Sequence, residues 1–423
     1  MAVGTDAPKF AVTSTSKSES YTLPLMLMVA LYFGIGFITA MNDILVPHFK
    51  DLFHLSNFLA LLVQMAFFGA YFVMSLPSGW IVGRIGCKAG IVVALSTMGC
   101  GLLLFVPASA IIFYPLFLLA LFVVGSGLAL LQVAINPYVG ALGTPETAAS
   151  RLNLAGGFNS LATTIAPRVG AALIFIAAGA TTAQLAHSVR MPYVVLACCA
   201  FAMALITGFV HLPDLIEKSE QHRTGEGSAW SFRHLRLGAV AIFTYVGAEV
   251  AIGSIMINFL GQPSMGAMTH ASAARFVSLY WGGAMVGRFI GFFVQRKVPA
   301  QRALLFVASV AALLIATVIL AKGNIALWAV VSCGLFNSVM WPCIFPLSVK
   351  GLGRYTSQGS GILIMMVVGG AVIPALQGLL ADNFGYQPSF LIVFLCYAYL
   401  IYFAVSGHRI RETDRAKVVA SAS

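Results

Sequence analysis

Charged side chains are scarce in this sequence. Asp, Glu, Lys and Arg make up 9% of its 423 residues, whereas hydrophobic residues make up 60%. A water-soluble domain usually carries about 25% charged residues. So few charges cannot cover a soluble surface, and lipid must therefore cover much of the exterior. The length of the chain accommodates on the order of a dozen membrane-spanning helices of about 20 residues each.

The chain also lacks the patterns of several other protein classes. The weakly alternating segments of a membrane β-barrel are absent, because the apolar runs are long and unbroken. The seven cysteines have neither metal-ligand spacing nor the framework of a secreted domain. Neither a GxxxxGK[ST] phosphate loop nor an HExxH pair occurs. The first twenty residues lack the basic start and apolar core of a cleavable signal. These absences predict a protein that is not an enzyme and needs no cofactor or metal.

What the sequence does contain is a series of twelve apolar runs. The only long polar interruption after the N-terminal region covers residues 212–237, with six runs before it and six after it. We predict an all-α membrane fold of two six-helix bundles, 22–211 and 238–407, with tails at 1–21 and 408–423. The predicted spans cover 22–47, 57–82, 89–108, 112–140, 152–178, 192–211, 238–260, 273–294, 302–321, 325–348, 358–381 and 388–407.

Basic residues predict the orientation of these spans. Lys and Arg accumulate in cytoplasmic loops. With the N-terminus inside, the outer side of the membrane would carry only Lys50, Arg190, Arg275 and Lys322. We therefore expect a multi-pass protein of the cytoplasmic (inner) membrane with both termini in the cytoplasm. The net charge of +11 reflects topology and needs no nucleic-acid partner.

The two halves resemble each other in sequence. Gln132–Pro137 in the fourth span and Asn337–Pro342 in the tenth each place an amide side chain five residues before a proline. A Leu-Gly pair follows each, and the next span then contains a late proline, Pro167 or Pro374. Duplicated six-helix halves with a binding site between them are typical of secondary transporters of the major facilitator type.

Two carboxylates lie inside the predicted spans, where an ionisable group is a candidate functional site. Asp43 lies in the outer half of the first span, and Glu249 lies near the middle of the seventh. A desolvated carboxylate can hold and release a proton near neutral pH, or it can coordinate a sodium ion. The alternatives are that Asp43 is a helix-end group reaching the outer interface and that Glu249 makes a structural hydrogen bond.

Neutral polar side chains form a second candidate set. Amide groups donate and accept hydrogen bonds together, which suits a hydroxyl-rich ligand, and aromatic rings stack on sugar rings. Some of these side chains are expected to be interhelical contacts instead. The candidates for substrate binding are Asn42, Gln64, Gln132, Asn136, Asn153, Asn159, Glu249, Asn337 and Trp341.

A glycine-rich basic segment, Gly79–Lys88, resembles the loop between the second and third spans of facilitator proteins. Gly83 stands where an acidic residue is usual before Arg84. We predict a gating role for Gly79, Arg84 and Lys88, with Arg288 as the weaker counterpart in the second half. Arg168, after Pro167, is expected to extend its side chain to the outer interface rather than to bind an anionic substrate.

Four motifs together resemble the fucose–galactose–glucose:proton symporter family. They are Met41–Pro47, Gln132–Tyr138, Arg151–Ser160 and Tyr245–Ser254, and the similarity extends along essentially all twelve spans. The resemblance implies uptake of a monosaccharide by alternating access, driven by a cation gradient. It also implies that Asp43 is the coupling aspartate.

The sequence departs from the fucose-permease pattern at Gln132, where that pattern has a glutamate. It carries Glu249 instead, as the glucose/galactose branch does. We therefore expect import of a hexose or amino sugar, such as glucose, galactose or N-acetylglucosamine, with proton coupling favoured over sodium. The functional unit is expected to be a monomer in the lipid bilayer. A proton-driven exporter of amphipathic compounds and a non-transporting sugar sensor are the alternatives.

Overall fold

The computed structural model describes residues 21–54, 57–174, 181–214 and 228–411. This part of the chain contains helices and turns but no strand. Ten helical segments of it, some of them made of two consecutive helices, are long and apolar enough to cross a membrane. One of the ten, Met65–Ile111, covers two of the predicted spans. The helix at Ala148–Ile174 is not among the ten. Its apolar sequence is interrupted by Arg151, Arg168 and two asparagines.

The first half contains the six predicted spans in seven α-helices. The second and third spans form one long helix that is broken at Gly86, where φ is 83° and ψ is 167°. This left-handed conformation favours glycine and turns the chain back between the two spans. The helices are α1 (Thr22–Phe53), α2 (Asn57–Leu103), α3 (Phe105–Ile111), α4 (Tyr114–Ala141), α5 (Ala148–Ile174), α6 (Thr182–Ser188) and α7 (Arg190–Phe209).

The second half follows the same order. Its tenth and eleventh spans are each divided into two helices, and the twelfth ends in a π-helical turn at Phe403–Gly407. The helices are α8 (Arg233–Leu260), α9 (His270–Val294), α10 (Ala300–Leu320), α11 (Gly323–Asn337), α12 (Met340–Val349), α13 (Thr356–Met365), α14 (Gly369–Phe384), α15 (Tyr386–Ser389) and α16 (Leu391–Tyr402).

The seventh span begins earlier than the sequence predicts. Helix α8 starts at Arg233, inside the segment predicted as a polar linker. Phe232 and His234 are both buried there, and the His234 imidazole lies 2.9 Å from the carbonyl oxygen of Lys350. The backbone N–H of Ala229 donates to the Gln358 side chain at 2.8 Å. Tertiary contacts therefore extend a helix into a stretch that composition alone marks as polar.

Apolar side chains occupy both the interior and the outer surface. Buried aromatic rings fill the first half, where the rings of Phe105 and Tyr193 stack with centroids 3.9 Å apart. At the periphery, Phe209 is 88% exposed and Leu320 is 83% exposed. Large apolar groups so exposed indicate a surface that contacts lipid rather than water.

Candidate functional site

A cluster of polar side chains joins four helices of the first half. The Tyr32 hydroxyl on α1 donates a hydrogen bond to Oδ1 of Asn136 on α4. Asn159 on α5 donates from Nδ2 to the backbone carbonyl of Tyr32 at 2.9 Å. The Asn136 amide also donates to the carbonyl of Gln132, one turn earlier, at 2.8 Å. Two of the predicted substrate residues, Asn136 and Asn159, are thus brought together by Tyr32.

Gln132 extends this cluster to α2. Its Nε2 donates to the Tyr71 hydroxyl at 2.9 Å, and Tyr71 also contacts the side chain of Thr39. Gln132 is half-buried, and its Oε1 has no hydrogen bond to a described residue. A half-engaged amide at the edge of a buried cluster keeps an acceptor available for a ligand hydroxyl.

A glycine allows α1 and α5 to meet at this cluster. A Cβ on Gly36 would overlap the backbone carbonyl of Asn159. The absence of a side chain lets the two backbones approach and places the Asn159 amide against Tyr32.

Glu249 is the centre of the polar groups in the second half. It lies on α8, is 9% exposed, and its Oε1 has no hydrogen-bond partner among the described residues. Tyr245, one turn earlier on the same helix, lies within hydrogen-bonding reach of the carboxylate. Tyr280 on α9 donates its hydroxyl to the backbone carbonyl of Glu249 at 3.0 Å. A buried carboxylate oxygen without a donor is unfavourable unless a proton, a cation or a ligand hydroxyl satisfies it.

Asn337 is linked to Glu249 through Tyr280, and both the nitrogen and the oxygen of its side-chain amide are hydrogen-bonded. Its Nδ2 donates to the Tyr280 hydroxyl at 2.8 Å, and its Oδ1 accepts from the Tyr397 hydroxyl at 2.6 Å. The side chain is completely buried. These contacts tie α9, α11 and α16 together, and they give Asn337 a positioning role beside the predicted substrate role.

Arg288 connects the two clusters. Its Nη1 donates to the carbonyl of Gly156 at 3.0 Å and to the Ser160 hydroxyl at 2.6 Å, both on α5 of the first half. Its positive charge also interacts with Tyr32 of the first half and with Glu249 of the second. The guanidinium therefore lies at the junction of the two bundles, facing both sets of polar side chains.

Helices α5 and α9 form a first seam between the two halves, beyond Arg288. This seam lies toward the end of the molecule that we call the basic end. The amide of Asn153 donates to Gln295 Oε1 at 2.7 Å, and the Gln295 amide in turn contacts Cys343 Sγ at 2.8 Å. The Ser150 hydroxyl donates to the carbonyl of Phe292 at 2.5 Å. The basic end is defined by Arg84, Lys88, Arg151, Arg296, Lys297, Arg302, Lys350 and Arg354.

A second seam, between α2, α4 and α13, closes the same end. The Ser360 hydroxyl donates to the carbonyl of Val133 at 2.9 Å. A Cβ on Gly361 would lie 2.6 Å from the carbonyl oxygen of Ser75, and one on Gly79 would lie 2.9 Å from that of Ser357. Small residues thus let the two halves touch backbone to backbone.

The four predicted gating residues are distributed over three places. Gly79 and Arg288 lie inside helices and at contacts between the halves, not in a loop. Arg84 is exposed, and its guanidinium lies 4.0 Å from the ring centre of Trp80, a cation–π contact in place of an ion pair. Lys88 lines a recess with His211 and Asp214 at the end of the sixth span.

Four further side chains that the sequence singles out are Asn153, Trp341, Asn42 and Arg168. Asn153 belongs to the first seam, where it donates to Gln295. Trp341 is half-buried and stacks on Phe345, with ring centroids 6.0 Å apart. Asn42 is buried, and Arg168 is exposed. Asp43 and Gln64 belong to α1 and α2, but their side chains lie outside the described residues.

Sequence reasoning missed several of the tyrosines and the connecting role of Arg288. Tyr245 could have been found, because it stands four residues before Glu249 and so on the same helix face. Tyr280 and Tyr397 come from distant parts of the chain, and nothing local marks them.

Comparison with known proteins decides the family. The sequence model of the Major Facilitator Superfamily matches residues 28–367. The chain belongs to this superfamily. It is 49% identical to the glucose/galactose transporter of Brucella abortus, over 94% of this chain and 97% of the relative. It is 32% identical to the L-fucose-proton symporter of Escherichia coli, over 92% and 94% of the two chains.

A solved structure supports the same placement. A major facilitator superfamily transporter solved in the outward conformation, the E. coli fucose:proton symporter, superposes with a TM-score of 0.84. It is 32% identical and covers 92% of this chain and 99% of that chain. The predicted all-helical facilitator fold and the resemblance to the fucose–galactose–glucose symporters are confirmed.

Proposed function

We propose that the protein is a secondary transporter that imports a hexose or amino sugar together with a proton across the inner membrane of a bacterium. The named relatives support sugar as the substrate class and proton symport as the coupling. The observation that carries the proposal is Glu249, a buried carboxylate with an unsatisfied oxygen, placed beside the guanidinium that joins the two bundles.

In this proposal the two clusters form opposite walls of the sugar site. Gln132, Asn136 and Asn159 present amide groups from the first half. Glu249 presents carboxylate oxygens from the second half. Sugar hydroxyls donate and accept hydrogen bonds at once, so a wall of amides facing a carboxylate satisfies both roles. Asp43 on α1 is proposed as the principal proton-coupling carboxylate, with Glu249 assisting.

The positive-inside rule assigns the basic end to the cytoplasm. Both chain termini then lie in the cytoplasm, and the seams at Asn153 and Gly361 seal the cytoplasmic side. A sealed cytoplasmic side is also what the outward conformation of the similar symporter structure requires. Rocking of one six-helix bundle against the other would break these seams and release the sugar inside. We propose that one chain suffices for this cycle.

The proposal is tested by counterflow. Purified protein is placed in proteoliposomes preloaded with glucose, galactose, N-acetylglucosamine, fructose or fucose, and exchange with labelled sugar is measured. We expect exchange of a hexose or amino sugar, accelerated by an inward proton gradient and insensitive to a sodium gradient.

Two other outcomes would replace the proposal. Binding of sugar in detergent without counterflow would identify a sensor. Absence of sugar exchange from folded protein, combined with proton-driven efflux of an amphipathic dye, would identify an exporter.

A further inference from the structure

A recess of about 340 Å³ lies at the basic end, away from the sugar site, between the start of α10 and the π-helical end of the twelfth span. Its walls combine apolar and basic side chains. The lining residues are Gln301, Arg302, Leu305, Ala404, Val405, His408 and Arg409. None of these described residues is acidic, so the recess carries positive charge without a carboxylate in its lining.

The two arginines are available to a ligand. Arg302 and Arg409 are exposed, and neither guanidinium makes a hydrogen bond or an ion pair with another described residue. Arg302 lies on α10, and Arg409 follows the π-helical turn at Phe403–Gly407, which packs against α10. A guanidinium offers paired N–H donors that match the oxygens of a phosphate group.

His408 is a half-buried member of the recess lining, next to Arg409 in the chain. Its Nδ1 lies 3.1 Å from the carbonyl oxygen of Phe403. Burial, together with the nearby charges of Arg409 and Lys350, lowers the pKa of the imidazole below its ordinary value. The lowered pKa favours the neutral ring, which serves as a hydrogen-bonding group rather than as a third positive charge.

The position of the recess matches the boundary between lipid head groups and acyl chains. Arg302 lies in the first turn of α10, at the basic end of the molecule. One turn deeper, Phe306 is 63% exposed, and Val405 in the recess wall is 47% exposed. Apolar side chains so exposed lie against the hydrocarbon region. A molecule in the recess would thus contact arginine at one end and the apolar membrane interior at the other.

We propose that this recess binds the phosphate head group of an anionic phospholipid from the surrounding bilayer. Arg302 and Arg409 bind the phosphate oxygens, while Leu305 and Val405 contact the start of the acyl chains. Basic pockets between membrane helices on the cytoplasmic side suit such head groups. The site is independent of the sugar site and of the transported solute.

Native mass spectrometry of the full-length protein in detergent tests the proposal. The protein is titrated with phosphatidylglycerol, with phosphatidylcholine and with inorganic phosphate as a competitor. We expect phosphatidylglycerol to be retained at least about fivefold better than phosphatidylcholine. The double variant Arg302→Gln, Arg409→Gln is expected to lose that preference, a weakening on the order of tenfold or more for two basic groups.

Matched variants separate the site from general charge and folding effects. Arg236→Gln removes an exposed arginine at the same end and should leave lipid retention unchanged. Arg302→Lys, Arg409→Lys keeps the charge and should retain most of the preference even if the neutral variant folds poorly. Equal retention of the two lipids, or unchanged retention in the neutral double variant, would overturn the proposal. Retention of inorganic phosphate without retention of either lipid would overturn it in favour of a site for free phosphate.

Discussion

Arg288 of the second half donates a hydrogen bond from Nη1 to the Ser160 hydroxyl of the first half, at 2.6 Å. The same nitrogen also binds the carbonyl of Gly156, and the guanidinium charge acts on Glu249. One side chain therefore contributes both to the closed seam between the halves and to the electrostatic environment of the proposed site. A change in the charge of Glu249 or a ligand on it would alter the balance of these interactions, which gives a physical route from binding to bundle movement.

Arg288→Gln is expected to open the closed end. Losing the hydrogen bonds to α5 costs on the order of 2 kcal/mol, which is about 30-fold in the equilibrium between closed and open seams. The reporter is Ser150→Cys, a buried position in the seam, in a background with the exposed cysteines Cys100, Cys198 and Cys199 replaced by serine. Thiol labelling should become faster in the variant.

Arg275→Gln is the matched control for that experiment, because Arg275 is an exposed residue of the same helix α9. Its labelling rate should equal that of the unmodified background. Equal rates in all three proteins would show that Arg288 does not hold the seam closed.

Gly361→Val is expected to separate the second seam. The added Cβ would lie 2.6 Å from the carbonyl oxygen of Ser75, closer than packed atoms allow, so α2 and α13 must move apart. The same labelling of Ser150→Cys measures the effect. Gly378→Val, in the same predicted span, is the control, because a Cβ there meets nothing within 4 Å. Both changes carry the same helix-propensity cost, so a similar response in the two would contradict the contact-based account.

Gln132→Ala and Asn337→Ala are expected to act differently. Gln132 keeps a free acceptor at the proposed site, so its removal should raise KM for sugar several-fold with little change in thermal stability. Asn337 is buried and bound on both sides by tyrosines, so its removal should lower stability by about 1–2 kcal/mol. Uptake assays and thermal unfolding in detergent separate the two effects. A large KM change with unaltered stability in Asn337→Ala would assign it to the sugar instead.

Asp43→Asn is expected to abolish concentrative uptake while sugar exchange continues. The amide cannot exchange a proton, so the gradient can no longer drive accumulation. The sugar-loaded transporter can still alternate between its two sides, and exchange therefore continues. Glu249→Gln should weaken sugar binding as well as accumulation, since an acceptor oxygen becomes a donor. Gradient-driven uptake and counterflow are measured side by side in proteoliposomes. Normal accumulation by Asp43→Asn would remove that residue from the coupling mechanism.

The fold followed from patterns that are local in the sequence. Long apolar runs predicted the helices, and the polar stretch after Leu212 divided them into two groups of six. Local patterns did not predict that α8 begins at Arg233, because buried Phe232 and the contact of Gln358 with Ala229 are set by distant segments.

The polar clusters of the candidate site include residues that the sequence singles out, but their arrangement was not predictable. Burial of polar groups in a membrane identified Glu249, Gln132 and Asn136 as candidates. Asn153, only six residues before Asn159, contacts Gln295 in the seam instead, because the two asparagines lie on different faces of α5. The role of Arg288 depends on the meeting of α5 and α9, which no local pattern reveals.

Sugar-induced proton movement tests the central claim most directly. Proteoliposomes containing the protein are placed in weakly buffered medium with a pH-sensitive dye, and the sugar active in counterflow is added outside without any imposed gradient. Proton symport predicts alkalinisation of the external medium that matches sugar entry and disappears in Asp43→Asn. Sugar entry with no change in external pH, in protein that carries out counterflow normally, would contradict proton coupling.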